Sequence, residues 1–370
     1  MGVRNPGMAP VTPEQYDVVV VGAGFAGAAT AFALLEHSTP RVLMLEREAS
    51  AGAHASGKNA ALLCVGVNSL TVAKHVVETK KFLHRLQSQD STQKLFRPTG
   101  SVLLGSLERL NPLQEVLTTL HEEAQLFTKN HLPNFIPPQL REWLGKAKFD
   151  AVLWTPDDGV VEVRGLLGYF LEQAKRKGLE FSPSTEVQQM TFQNNLWQLE
   201  TSQGKIHASV VVNAAGAWAE SLGIQAGSKV RGLIPFRRHL YISEIEKNSA
   251  PTWPIVWNVD EEFYFRPEAG AWLLCPGDET AHVPEVPQPD PQVRALLAKK
   301  FSAHFPHLGA LGVQQGWACL RTKCDTKPYW VDWDPELKKF FWAAGLGGHG
   351  MSSSVGLGRR AAQGILKGLS

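Results

Sequence analysis

Regular patterning begins at residues 16–21, an apolar run of strand length that only Asp17 interrupts and that is continuous over Val18–Val21. Continuous apolarity suits a parallel strand buried on both faces. Glycines follow at 22, 24 and 27, then an Ala/Leu-rich stretch to His37 that predicts a helix. Val42–Leu45 predicts a second buried strand. From 69 to 86, Val72, Val76, Leu83 and Leu86 fall near one helical face. "FRPTGSVLLG" reads as a turn and a strand, broken by Pro98 and Gly100. Residues 107–147 mix helical runs with prolines. Leu166, Leu167, Phe170 and Ala174 mark the buried side of another helix, followed by a strand. A hairpin around Gly204 leads into a strand at 210–212. In the second half, "PFRRHLYIS", "DEEFYFRPEAGAWLLC" and "GWACLRT" carry the aromatic and β-branched content of strands, with "EAG" as a hairpin signal. "KKFFWAAGLGGHGMSSSVGLGRRAAQGIL" closes the chain as strand, loop and helix, the helix running from Ser352.

Composition narrows the function without naming it. The 370 residues are 44% hydrophobic and 19% charged, which is ordinary globular usage. Net charge is +2 and no basic run stands out, so nucleic acid is not an implied partner. Four cysteines (64, 275, 319 and 324) form no C-x-x-C pair and no zinc spacing, so no metal site is expected. They suit a reducing, cytoplasmic setting. Residues 1–13 carry Pro6, Pro10 and Pro13 and no apolar segment; they are expected to form a loose tail, not a signal peptide. No apolar run approaches the roughly 18 residues of a membrane span. Peripheral membrane contact stays open.

The glycine pattern carries the first chemistry. In G-x-G-x-x-G, Gly22 allows a tight turn, Gly24 lets a diphosphate approach the backbone, and Gly27 lets helix and strand pack closely. The helix N-terminus offers N–H groups and a positive dipole end. Glu46 lies about 20 residues on, where a carboxylate holds ribose hydroxyls. Strand, loop, helix, strand and acid in that order indicate a bound dinucleotide. A second small-residue loop follows with His54, Ser56, Gly57, Lys58 and Asn59.

The stretches "GAGFAGA", "LEREA", "SGKNAA", "VVNAAGAWA", "RRH", "FYFRPEAG", "CLRT" and "FFWAAGLGGHG" occur in one order from Tyr16 onward. In them the chain resembles the FAD-dependent D-amino-acid oxidase-like family, which includes glycine oxidase, sarcosine oxidase and D-arginine dehydrogenase. The layout is nearest to D-arginine dehydrogenase. The resemblance implies an α/β fold: a Rossmann-like FAD-binding domain with an inserted α+β substrate domain on an antiparallel sheet. It assigns 14–92, 155–220 and 322–370 to FAD, and 93–154 and 221–321 to substrate.

It also implies a site. The cofactor set is Gly22, Gly24, Phe25, Ala26, Gly27, Glu46, Arg47, Ser56, Gly57, Lys58, Asn59, Ala60, Val187, Ala214, Ala215, Gly216, Trp218, Gly347, His349, Gly350 and Met351. Lys58 stands where arginine is common, which keeps the cation and loses the fork. Arg238 and Arg321 match the family's carboxylate-binding arginines, Tyr264 its carboxylate-binding tyrosine, and Gly348 and Ser352 complete the catalytic set. Arg237, next to Arg238 on a strand, points the other way.

The implied reaction is oxidation of a small amino acid, expected to be a D-amino acid, by hydride transfer to flavin N5. The imine then hydrolyses to a 2-oxo acid and ammonia. Loop 347–352 would donate N–H groups to the negative charge developing on the flavin. His349 is assigned to the flavin edge, not to base catalysis. The electron acceptor is oxygen or a quinone. An N-methyl amino acid or a 2-hydroxy acid is an alternative substrate, and a flavoprotein subunit without turnover is another reading.

Further positions bear on substrate and cofactor attachment. Leu62 and Val67 replace a histidine and a tyrosine of D-arginine dehydrogenase, which implies a preference for uncharged side chains. Ser352 replaces a glutamine. Cys319, two residues before Arg321, matches the covalent flavin position of sarcosine oxidase; non-covalent FAD is the expectation here.

Overall fold

The computed structural model describes residues 14–246 and 251–369. The expected tail lies outside them. Strand Glu14–Val21 sits between two parallel neighbours, Val42–Leu45 and Gly204–Asn213. Val18 and Val20 point to one face of this sheet and Val19 to the other, and all three are fully buried. The consecutive valines from 18 on therefore reflect a strand with a core on each side.

Gly204–Asn213 changes partner along its length. Its first half pairs antiparallel with Leu196–Thr201, and its last three residues pair parallel with Phe340–Ala344. Among the described residues this sheet has eight strands. Helix Phe25–His37 packs on it against helices Val163–Arg176 and Ser354–Leu369. The last helix begins at Ser354, two residues later than the sequence suggests. The Ser353 hydroxyl and N–H both bond His349 O, so 351–353 form a turn that precedes the helix.

A second sheet of nine strands among the described residues is mostly antiparallel. Hairpin Phe263–Glu268/Ala271–Cys275 turns on Ala269 and Gly270, both at positive φ (49° and 82°), as a two-residue hairpin loop requires. Phe263 and Phe265 enter an aromatic core with Trp272, Phe301 and Phe305. Tyr264, between them, turns to the opposite face with Leu240 and Cys275.

The long strands Leu233–Ser243 and Val313–Cys324 pair antiparallel, with Arg238 opposite Cys319 and Arg321 opposite Phe236. Residues directly opposite share a face, so this register brings Arg238, Cys319 and Arg321 to one side. Arg237 goes to the other, where its Nη2 meets Asp290 Oδ2 at 2.6 Å. The fold is that of a Rossmann-like FAD-binding domain joined to a substrate domain on a largely antiparallel sheet.

Candidate active site

A cavity of about 970 Å³ runs from the first sheet to the second. Its first end is built where strand Glu14–Val21 stops. Gly22 N donates to Leu45 O (2.8 Å), and the residue takes φ +108°. A Cβ there would lie 2.5 Å from Ala214 O. The helix that follows has Gly24 as its N-cap with no side-chain cap, and its first residues, Phe25 and Ala26, line the cavity. Phe25 N donates to Ser56 Oγ (3.0 Å).

Glu46 sits at the end of the neighbouring strand. Its Oε2 accepts from Ala23 N and its Oε1 from Glu48 N, both at 2.9 Å. These bonds fix the carboxylate beside the glycine loop and leave each oxygen a further lone pair. Arg47 lies over the Trp218 ring at 4.2 Å, and the His54 ring packs on the same indole at 4.6 Å. Val187, Ala214, Ala215 and Gly216 line the same stretch.

Gly27 and Gly57, both assigned to the cofactor, stand behind the wall, not in it. A Cβ on Gly27 would meet Gly22 O at 2.0 Å, and one on Gly57 would meet Gly52 O at 2.4 Å. They let the loops pack and do not line the cavity. Asn59 lines it, but its amide is engaged locally. Nδ2 donates to Ser56 O (2.6 Å) and Oδ1 accepts from Ala61 N (2.7 Å). Lys58 and Ala60 also line the cavity, and their carbonyls accept from Trp317 Nε1 and Arg266 Nε.

The other end holds Arg238, Tyr264, Arg321, Gly348 and Ser352 together. Arg321 Nη2 donates to Tyr264 OH at 3.0 Å. Burial pushes the Tyr264 phenol well above its usual pKa, so it stays a neutral hydroxyl. Burial opposes the Arg321 charge, but its pKa is raised in this setting, with the Tyr264 hydroxyl as its hydrogen-bond partner, so the guanidinium stays charged. Gly348, at φ +97°, leaves room for this guanidinium: a Cβ would lie 3.0 Å from Arg321 Cδ and Nε. Burial, then Arg321 and Lys323, push the His349 imidazole down to about 4, so it is uncharged at neutral pH. In loop 347–352 the Gly347 and His349 N–H groups bond Thr322 O and Leu346 O (2.8 Å each). The expected N–H donors therefore narrow to Gly348, Gly350, Met351 and Ser352.

Leu62 and Val67 line the cavity with Leu113, Val259 and Trp257. Trp257 escaped sequence reasoning. It pairs with Tyr264 across the sheet, and its buried Nε1 has no partner. Glu279 and Lys323 were also missed. Both reach the arginine end through strand pairing, which local sequence does not display.

Cys319 lines the cavity on the Arg238 face, and burial raises its thiol pKa. A thiol held protonated is a poor nucleophile. Acid precipitation of the yellow protein is expected to leave the colour in the supernatant. Colour in the pellet would show a covalent bond.

The family model for DAO, FAD dependent oxidoreductases, matches residues 17–364. The chain is 24% identical over 371 residues to the 4-methylaminobutanoate oxidase (formaldehyde-forming) of Paenarthrobacter nicotinovorans, covering 96% of this chain and 44% of that protein. It thus spans less than half the length of that relative. It is 23% identical over 368 residues to the monomeric sarcosine oxidase of Bacillus sp. (strain NS-129), covering 94% and 92%. The solved glycine oxidase of Geobacillus kaustophilus superposes with a TM-score of 0.80 at 21% identity, covering 96% of this chain and 95% of that one, which shows a shared fold.

The residues present fit FAD. Gly22, Gly24 and Glu46 line the cavity together, the N-cap glycine of the helix beyond them carries no side-chain cap, and two backbone N–H groups hold the Glu46 carboxylate beside the glycine turn. The cavity then continues without a break to Arg321.

Proposed function

Because the chain belongs to the DAO family of FAD-dependent oxidoreductases, we propose that it oxidises the carbon–nitrogen bond of a small, carboxylate-bearing amino acid with an uncharged side chain. The observation that carries this reading is the pairing of Arg321 with Tyr264 in a cavity that Leu62, Val67 and Leu113 also line with apolar surface. Bound FAD supplies the two-electron acceptor. Arg321 offers the substrate carboxylate a fork that cannot lose its proton, and Tyr264 adds a hydroxyl donor. Together they fix which carbon faces the cofactor. The apolar lining excludes water and accepts an alkyl group. His349, with its low basicity, is a poor proton acceptor, so the amine is oxidised from its neutral form.

N-methyl amino acids are the first substrate class. Two relatives carry methylamino substrates in their names, and an apolar wall suits an N-methyl group. Small D-amino acids are the second, supported by the same carboxylate-binding pair. The test is anaerobic bleaching of the flavin by N-methyl glycine, D- and L-amino acids and 2-hydroxy acids. N-methyl glycine or small apolar D-amino acids are expected to bleach it, well ahead of cationic ones. A chain that none of these reduces is not an amino-acid oxidoreductase, and cationic D-amino acids leading the series would overturn the uncharged preference.

A further inference from the structure

The arginine end of the cavity holds a carboxylate of its own, Glu279. Its Oε2 accepts from Arg238 Nη2 at 2.9 Å, and its Oε1 accepts from Lys323 Nζ. Burial works against its charge, but Lys323, Arg238 and Arg321 outweigh that and lower its pKa. Glu279 is therefore an anion beside the arginines that the proposed substrate needs.

This placement is built into the backbone. On one side of Glu279, Asp278 Oδ1 accepts from His239 N (3.0 Å) and its Oδ2 pairs with His239 Nδ1 (2.7 Å). His239 Nε2 accepts from Asp290 N (2.8 Å), which leaves Nδ1 to donate to Asp278. On the other side, Thr280 pairs with Arg237 in the sheet. Both neighbours are pinned by backbone and side-chain bonds, which places the Glu279 side chain between two different cations, one on each oxygen. Arg238 Nε is buried and has no partner. The fork of Arg238 is thus half-used, whereas Arg321 bonds only the neutral Tyr264 hydroxyl among the polar contacts described above.

We propose that Glu279 is an internal competitor for the substrate carboxylate: it yields Arg238 to the incoming carboxylate and is retained by Lys323. This rests on the proposed docking of a carboxylate substrate at Arg321 and Tyr264, and extends it to Arg238, which shares their cavity and the Arg321 face of the sheet. Two free arginine forks would grip substrate, product and any bystander carboxylate alike, and such uniform binding does not raise kcat. An anion that must be displaced weakens all three. A ligand that fills the rest of the cavity has other contacts with which to offset the displacement, and a small bystander anion has none.

The test uses acetate, titrated into the FAD-loaded protein and followed by the change in flavin absorption, so no turnover is needed. Glu279→Gln keeps the shape and removes the charge; it is expected to bind acetate at least about tenfold more tightly, about 1.4 kcal/mol. Lys323→Gln leaves Glu279 wholly on Arg238 and is expected to bind acetate more weakly. The double variant is expected to match Glu279→Gln, because Lys323 acts through Glu279. Glu279→Ser, compared for flavin content and melting temperature, guards against a folding defect in the first variant.

Acetate binding that is unchanged or weaker in both Glu279 variants overturns the proposal. So does a double variant that loses the gain, since Lys323 would then attract the ligand directly, and so does a wild type and variant that bind no acetate at all. The outcome is separable from the oxidation reading. Tighter acetate binding with no bleaching by any amine leaves the competitor standing and removes the proposed reaction, and bleaching without the gain does the reverse.

Discussion

Replacing Arg321 with methionine is expected to lower kcat/KM for the amino-acid substrate by about 1,000-fold, or about 4 kcal/mol, while FAD stays bound. A hydrogen bond to a charged group contributes about 1.5–3 kcal/mol, and a fork makes two of them. Methionine fills the volume but offers no donor. It also removes the partner of the buried Tyr264 hydroxyl, at 3.0 Å in the native chain. Arg321→Lys keeps the charge and loses the planar fork, so it should recover only part of the loss. Tyr264→Phe leaves Arg321 in place and should cost about tenfold, one bond to a carboxylate. Anaerobic stopped-flow reduction of the flavin, measured against substrate concentration, separates the binding and reduction steps. If Arg321→Met stays within threefold of wild type, the substrate carboxylate docks elsewhere and the site assignment fails.

The dinucleotide end of the cavity was legible because its chemistry is local. Strand, glycine turn, helix and Glu46 all lie within one short span, and each residue type does at Gly22, Gly24 and Glu46 what its backbone or side-chain chemistry allows. The opposite directions of Arg237 and Arg238 were legible for the same reason, since a strand alternates. The distant pairings were not. Arg238 and Arg321 share a face because Leu233–Ser243 pairs with Val313–Cys324 in one register, and a slip of one residue would send Arg321 away.

Glu279 depended on the same kind of fact, the pairing of Thr280 with Arg237. Asn59 shows a different limit. It lines the cavity, but its amide satisfies its own turn, as asparagine side chains often do. Gly27 and Gly57, both placed in the cofactor set, stand behind the cavity wall. The close packing that the glycine motif implies at Gly27 is there, with Gly22 O 2.0 Å from where a Cβ would lie, and Gly57 makes the same kind of approach to Gly52 O at 2.4 Å, which the loop sequence does not display.

Gly22→Ala is expected to give a protein that retains no flavin and melts at a markedly lower temperature. Two costs combine at this one position. The backbone sits at φ +108°, which an L side chain rarely adopts, and a non-glycine residue held there costs roughly 1–3 kcal/mol. The added methyl would also stand 2.5 Å from Ala214 O and 2.9 Å from Ala214 C. Neither atom can move alone. Ala214 N donates to Val21 O (2.9 Å), and Gly22 N is tied to Leu45 O on the other side. Relief therefore means parting the ends of three adjacent strands, and those ends carry Glu46 and the turn into the helix.

Gly24→Ala is the informative contrast. Its Cβ would meet Ser56 Oγ at 2.8 Å, the tip of a side chain that can rotate away. The chain should fold, with Phe25 N losing its acceptor and FAD bound more weakly. The ratio of flavin to protein absorbance after gel filtration, with a thermal melt of each variant, measures both effects. Full flavin content and an unchanged melt for Gly22→Ala would mean that the loop can relax without parting the strands, and that the close approach to Ala214 does not set the shape of the FAD site.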